Sequence, residues 1–210
     1  TETTGAVVEL PPEDHDPENK PELLRSAGKP YPWVEMRIVG EDGNDVPDGE
    51  IGEVWLRGPQ IMVGYWNQPE ETAKALDDEG WFRTGDAGYR QDGYLFLHDR
   101  VKDMIVSGGE NVYPAEVENA IMGCPGVADV AVIGVPDEKW GEAVKAIVVT
   151  SPDEDVTPQA VMAWARERIA GFKVPKSVDF VDELPRNPSG KILKKDLRAP
   201  YWADRERQIG

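Results

Sequence analysis

Between residues 34 and 98 the apolar positions recur every second residue in short runs: Val34, Met36 and Ile38, then Val54 and Leu56 on either side of Trp55. That period belongs to strands with one buried face. Asp42-Gly43-Asn44 and Asp92-Gly93 carry the residue types that tight turns favour, and the strand-like Tyr94-Leu95-Phe96-Leu97 follows the second turn. Short strands separated by Gly- and Asp-rich turns predict a small barrel or sandwich through about residue 98, read as a small distorted β-barrel-like subdomain over residues 1–99. Residues 11–30, rich in Pro, Glu and Asp, read as a long loop within it.

From about residue 100 the pattern changes. Val101 to Val106 reads as a strand running into the flexible Ser107-Gly108-Gly109. Pro114 suits the first turn of a helix that buries Val117, Ala120 and Ile121 and stops at Gly123. Val127–Ile133 and Val144–Val149 are apolar enough for buried strands. Thr157-Pro158 pairs an N-cap residue with proline at the first helical position. The helix it starts carries Val161, Ala165 and Ile169 on one face and is expected to end at Gly171, before a last strand at Val178–Val181. The order β-α-β-β-α-β predicts a two-layer α+β domain over residues 100–210, and the chain as a whole falls in the α+β class.

Composition narrows the function. The chain has 210 residues, 40% of them apolar, with seven tryptophans, as expected of folded domains with real cores. A formal charge of −17 argues against a nucleic-acid surface and against docking on anionic lipid through a basic patch. Cys124 stands alone and cannot form an internal disulfide, which suits a reducing cytoplasm. His15 and His98 are too few and too scattered for a zinc site. The sequence carries neither a signal peptide nor an apolar stretch long enough to span a bilayer. It opens on Thr1 rather than Met, which predicts that it begins inside a longer protein.

The most informative stretch is Leu184-Pro185-Arg186-Asn187-Pro188-Ser189-Gly190-Lys191, followed by the basic, amphipathic turn Ile192–Arg198. Two prolines and a Ser-Gly pair make a stiff loop that presents Lys191 from a defined backbone. It is not a Walker phosphate loop, because G-x-x-x-x-G-K needs a glycine where Pro185 stands. On local grounds alone the same string also suits an ordinary surface loop.

Four further motifs precede it in order: Thr1-Glu2, Gly58-Pro59 with Gly64-Tyr65-Trp66, Thr84-Gly85-Asp86, and Asp99-Arg100-Val101-Lys102-Asp103 leading into Ser107-Gly108-Gly109-Glu110-Asn111-Val112-Tyr113-Pro114. Together the five resemble the adenylate-forming superfamily of acyl-CoA synthetases, aryl-CoA ligases, luciferases and peptide-synthetase adenylation domains. The wording S-G-G-E-N-V-Y-P is most similar to that of fatty acyl-CoA ligases. The resemblance implies that the chain is the C-terminal portion of an enzyme whose missing N-terminal portion carries a phosphate loop, the adenine site and most of the acyl pocket. Residues 1–99 would end that portion, and residues 100–210 would be its mobile C-terminal domain. The chain alone is then expected not to activate fatty acids.

The resemblance also implies roles. Such enzymes join a carboxylate to the α-phosphate of Mg2+-bound ATP, giving acyl-AMP, and then transfer the acyl group to the thiol of CoA. Lys191 matches the lysine that stabilises charge developing in the first step, where losing one such donor costs about 3–4 kcal/mol. Glu2 matches a Mg2+-linked glutamate, a hard ligand for a hard cation, and Thr1 would donate its hydroxyl to the α-phosphate. Asp86 would accept hydrogen bonds from the two ribose hydroxyls; outside the family, T-G-D reads as a tight turn. Arg100 would contact the same nucleotide as a planar fork; its alternative is a surface ion pair with Asp99 or Asp103. Lys102 falls at the hinge about which the C-terminal domain turns between the two steps. Gly108, Gly109 and Glu110 would then line the pantetheine tunnel, with Trp140 beside it or simply in the core. Phe172, Lys173 and Lys176 lie in the segment that approaches the CoA nucleotide, although Val174 stands where some relatives have arginine. Two alternatives remain open at this level: acyl transfer to a carrier-protein thiol, and a non-catalytic interaction module of the same fold.

Overall fold

The computed structural model describes residues 1–152 and 154–203; residues 204–210, counted in the expected second domain, lie outside it. The chain divides into two compact units, Thr1–Val101 and Lys102–Gly210.

In the first unit, the two-residue strands β1 (Val8–Glu9) and β2 (Lys29–Pro30) pair with each other. The main sheet is a meander of β3 (Glu35–Val39), β4 (Gly52–Arg57), β5 (Phe82–Gln91) and β6 (Tyr94–Arg100), antiparallel throughout. Alternation does what the sequence predicts: Ile38, Val54, Leu56 and Leu95 turn to a common core, while Trp55 points to the opposite face. There Trp55 lies beneath the guanidinium of Arg83, 4.7 Å from its ring. The β5–β6 turn is Asp92-Gly93, with φ of +51° and +82°, the left-handed pair that a two-residue hairpin requires. The expected barrel is instead an open four-stranded sheet among the described residues. Between β4 and β5 lies a helix the sequence reading missed, α1 (Pro69–Ala75), with proline at its start and Glu70 and Glu71 in its first turn. The long loop of residues 11–30 holds two short 3₁₀ turns, and it is fastened by buried Asp14, which accepts from the Lys20 ammonium and, at 2.6 Å, from the Tyr94 hydroxyl.

The second unit contains the expected β-α-β-β-α-β order with one strand and a C-terminal helix added, and the α+β class holds. Val101–Asp103 is a 3₁₀ turn rather than the start of a strand; β7 (Ile105–Ser107) and β8 (Glu110–Val112) then form a tight hairpin. α2 (Pro114–Met122) buries Val117 and Ile121 fully and Ala120 only partly. β9 (Val127–Asp137) and β10 (Gly141–Thr150) make a long antiparallel hairpin, extending past the apolar cores read from sequence. α3 (Pro158–Arg166) starts as expected, with the Thr157 hydroxyl accepting from the Ala160 N–H at 3.2 Å, but ends before Gly171. β11 (Ser177–Phe180) adds in parallel to β10. α4 (Lys194–Arg198) closes the unit.

Both faces of this sheet are covered. Val117, Ile121, Val161 and Ala165 of the two longer helices pack on Val130, Val132, Val144 and Val148. On the other side Leu184, Ile192, Leu197 and Tyr201 pack on Ala131, Ile133 and Ile147. The segment carrying Lys191 is thus a packed layer rather than a tail. Polar ties hold this layer and the sheet beneath it. Arg198 pairs with Asp103 at 2.7 Å, both largely buried. Buried Lys145 pairs with Asp179 at 2.8 Å, and the Tyr201 hydroxyl donates to the same carboxylate at 2.6 Å.

Candidate functional site

In the first unit, Thr84-Gly85-Asp86 is not a turn but a bulge inside β5. The β4–β5 register shifts here, and Gly85 takes φ +71°. The Thr84 hydroxyl donates to Val54 O at 2.7 Å and accepts from the Asp86 N–H at 3.0 Å, while the Gly85 N–H donates to the Glu53 carboxylate at 2.9 Å. A bulge re-aims the side chain that follows it, and here that side chain is Asp86. Across the β5–β6 ladder Asp86 faces Arg100, whose Nε lies 2.9 Å from Asp86 Oδ1. The sequence alternative paired Arg100 with Asp99 or Asp103; the ion pair formed is with Asp86. Both side chains remain about two-fifths exposed, so they are set in place yet accessible. Glu53, which holds the bulge, was missed, because only the strand register reveals its partner.

Glu2 is brought to the Gly64-Tyr65-Trp66 motif. Its carbonyl accepts from the Met62 N–H at 2.8 Å and its carboxylate from the Tyr65 hydroxyl at 3.1 Å. A backbone N–H at Glu2 itself, and then the Tyr65 hydroxyl, hold this carboxyl below its ordinary pKa against the opposing effect of burial. Burial, and then Glu2, push the Tyr65 phenol up. Thr72 of α1 fixes the motif from behind, its hydroxyl accepting from the Tyr65 N–H at 2.8 Å. Thr1 is exposed. Glu2 offers a single ionised oxygen ligand, and no cluster of three or more His, Cys, Asp or Glu converges among the described residues. That donor set fits Mg2+, which is commonly held by one or two carboxylates together with substrate phosphates.

In the second unit, Gly108 and Gly109 have φ of +64° and +85° and close the β7–β8 hairpin. The Trp140 ring lies on Gly108: a Cβ built there would come within 2.6 Å of Trp140 Cε3, and the Gly108 N–H donates to Trp140 O at 2.8 Å. Trp140 itself is 43% exposed, so it is a surface lid on the glycine turn rather than a core aromatic. Glu110, which follows the glycine pair, is exposed. Phe172 is also exposed, with the Lys173 ammonium 5.6 Å from its ring. That ammonium is engaged by both oxygens of Glu116 at 2.7 and 2.6 Å. Val174 is buried in the core, whereas the neighbouring Lys176 is exposed. Lys102 is exposed in the 3₁₀ turn that begins this unit.

The Lys191 loop is the most tightly organised of these elements. The Asn187 side-chain oxygen accepts from the Ser189 N–H at 3.1 Å, the Ser189 hydroxyl at 2.7 Å and the Lys191 N–H at 2.8 Å. The Asn187 N–H in turn donates to Lys191 O at 2.9 Å, and Gly190 takes φ +84°. Asn before a Pro-Ser-Gly run is an Asx-turn signal that could have been read from sequence. The Lys191 side chain is exposed and makes no ion pair among the described residues.

A model described as "AMP-binding enzyme" matches residues 1–66, and one described as "AMP-binding enzyme C-terminal domain" matches residues 116–191. A fatty acid–[acyl-carrier-protein] ligase, ScoC, from Streptomyces coeruleorubidus is 47% identical over the whole of this chain, which spans 40% of that relative. The long-chain-fatty-acid–CoA ligase FadD13 of Mycobacterium tuberculosis is 51% identical over 85% of the chain, which spans 35% of its length. Among solved structures, the o-succinylbenzoate CoA synthetase MenE of Bacillus subtilis, in complex with its acyl-adenylate intermediate, superposes with a TM-score of 0.84 at 36% identity, covering 100% of this chain and 40% of its own. The chain therefore spans about two-fifths of the length of the relatives it matches.

Proposed function

The chain belongs to the AMP-binding enzyme family, and from that premise we propose that it is the C-terminal part of an ATP-dependent fatty-acid–CoA ligase. Residues 1–99 end the adenylating portion, and residues 100–210 form the domain that turns against it. In the first step a carboxylate oxygen bonds to the α-phosphorus of ATP as the bond to pyrophosphate breaks, giving acyl-AMP. In the second the CoA thiolate attacks the acyl carbonyl and AMP leaves.

The observation that carries this reading is Lys191: an exposed ammonium with no ion pair among the described residues, on a loop whose backbone is fixed by Asn187 and so preorganised for charge that develops between carboxylate and phosphate. Thr1 donates to the α-phosphate. Asp86 and Arg100 hold the nucleotide, Asp86 by accepting from the ribose hydroxyls once its bond to Arg100 is shared or exchanged. Glu2 holds Mg2+, which neutralises phosphate charge when bound. Lys102 is the pivot, at the junction of the two compact units. The glycine turn with Trp140 and Glu110 lies along the pantetheine arm, where two residues without side chains let a thin ligand pass close to backbone. Phe172 and Lys173 lie toward the CoA nucleotide, Lys173 exchanging Glu116 for phosphate.

The acidic surface and the single buried cysteine, whose thiol is pushed up by burial, support a cytoplasmic enzyme. No helix among the described residues is long and apolar enough to cross a membrane. The relative ScoC favours a second acceptor, the thiol of an acyl-carrier protein, within the same chemistry. The test supplies the complete enzyme with ATP, Mg2+, a fatty acid and either CoA or carrier protein. AMP released in step with CoA thioester supports the main reading, turnover only with carrier protein the second, and no AMP with either contradicts both.

A further inference from the structure

Arg186 bridges two fixed points around the candidate catalytic lysine. Its Nη1 donates to the carbonyl of Gly190, the residue before Lys191, at 2.6 Å, and its Nη2 to Asp129 Oδ2 at 2.5 Å. Asp129 is itself held on β9, where its other oxygen accepts from the Val130 N–H at 2.9 Å. The backbone of Arg186 is also fixed, bridged to Ile192 across the base of the loop. Asn187 closes the loop internally, but among these side-chain bonds only Arg186 ties its tip to the sheet.

We propose that Arg186 is a positioning residue for Lys191, a strut that sets the direction of the lysine by locking the Gly190 carbonyl to Asp129. This rests on the adenylating role of Lys191 proposed above. The chemistry favours arginine: its planar fork satisfies two acceptors in fixed directions, whereas a lysine ammonium is a point charge on a flexible stem. With Arg186 43% exposed, the ion pair itself adds little to stability. Its effect on rate is of another order, since a misplacement of about 1 Å in a catalytic group can cost roughly a hundredfold. The strut therefore separates activity from folding.

The experiment is a double-mutant cycle in the complete enzyme, measuring acyl-AMP formation, thioester formation from supplied acyl-AMP, and the unfolding midpoint. Arg186→Ala is expected to slow acyl-AMP formation at least tenfold through kcat, with thioester formation within twofold and the midpoint unchanged. Arg186→Lys should recover only part of the loss, and Asp129→Ala should slow the same step. In a Lys191→Ala background, Arg186→Ala should add nothing, because a strut has no effect once the group it aims is gone. Additive losses, equal loss in both half-reactions, or wild-type adenylation by Arg186→Ala would overturn the strut while leaving the role of Lys191 intact. Wild-type adenylation by Lys191→Ala would instead remove the reading on which it rests.

Discussion

Asp86 and Arg100 stand opposite each other in the β5–β6 ladder, with Arg100 Nε 2.9 Å from Asp86 Oδ1. Neither needs the other for folding, because an exposed pair of this kind contributes at most about 1 kcal/mol. Their value lies in geometry. The bulge at Gly85 aims the carboxylate, and the guanidinium beside it keeps the carboxylate in one orientation, as the proposed nucleotide site would require.

Asp86→Ala should therefore leave the unfolding midpoint nearly unchanged while weakening nucleotide binding by about 10- to 100-fold, the range expected when hydrogen bonds to a charged acceptor worth roughly 1.5–3 kcal/mol are lost. Calorimetric titration of ATP or AMP into the complete enzyme checks this. Unchanged affinity would remove Asp86 from the nucleotide site.

Gly108→Ala should destabilise more than Gly109→Ala. Both place a side chain at positive φ, a cost of about 1–2 kcal/mol. Only the first also drives a Cβ into the Trp140 ring, whereas nothing lies within 4 Å of a Cβ at Gly109. Denaturant unfolding of the two variants should show the difference, and adding Trp140→Ala should largely erase it.

Lys102→Pro tests the pivot. Proline fixes φ and removes the N–H, so rotation about this residue is restricted. Acyl-AMP formation should persist, whereas single-turnover transfer to CoA should fall by at least tenfold. Transfer at the wild-type rate would place the hinge elsewhere.

Tyr201 gives the second unit an alkaline limit. Burial, and then the Asp179 carboxylate, push its phenol up to about 12. A raised pKa means that the native state holds the neutral phenol more strongly than the unfolded chain does. The contribution is complete below the unfolded value of about 10 and is lost as pH rises through about 12. Asp179 has the opposite sign: Lys145, and then Tyr201, hold its carboxyl below the ordinary range, so its contribution is present at neutral pH and lost in acid. Unfolding free energies measured from pH 8 to 12 should fall more steeply for the wild type than for Tyr201→Phe, by on the order of 2 kcal/mol across that span. Parallel curves would contradict the assignment.

Local signals in the sequence carried the second unit well. Thr157-Pro158 caps α3, Pro114 starts α2, and the paired glycines close a hairpin, because each depends on residues close in the chain. Helix α1 had a signal too, Pro69 followed by Glu70 and Glu71, but it is short and buries no residue fully, so no apolar period marked it. Long-range partners were not legible. Arg186 and Asp129 are 57 residues apart, and nothing in either neighbourhood specifies the other. The same holds for Arg198 and Asp103, and for the packing of Leu184, Ile192 and Leu197 on the second face of the sheet. The five motifs could be read as a set, but not that Thr84-Gly85-Asp86 is a bulge, since a bulge is a relation between strands.

The most direct test of the proposed function is to measure both half-reactions in the complete enzyme carrying Lys191→Ala. If Lys191 stabilises charge only while acyl-AMP forms, ATP- and fatty-acid-dependent acyl-AMP formation should fall by about 100- to 1,000-fold, the usual loss for one preorganised donor, with thioester formation from supplied acyl-AMP and CoA within a few-fold of wild type. Equal losses in the two steps, or adenylation at the wild-type rate, would contradict it.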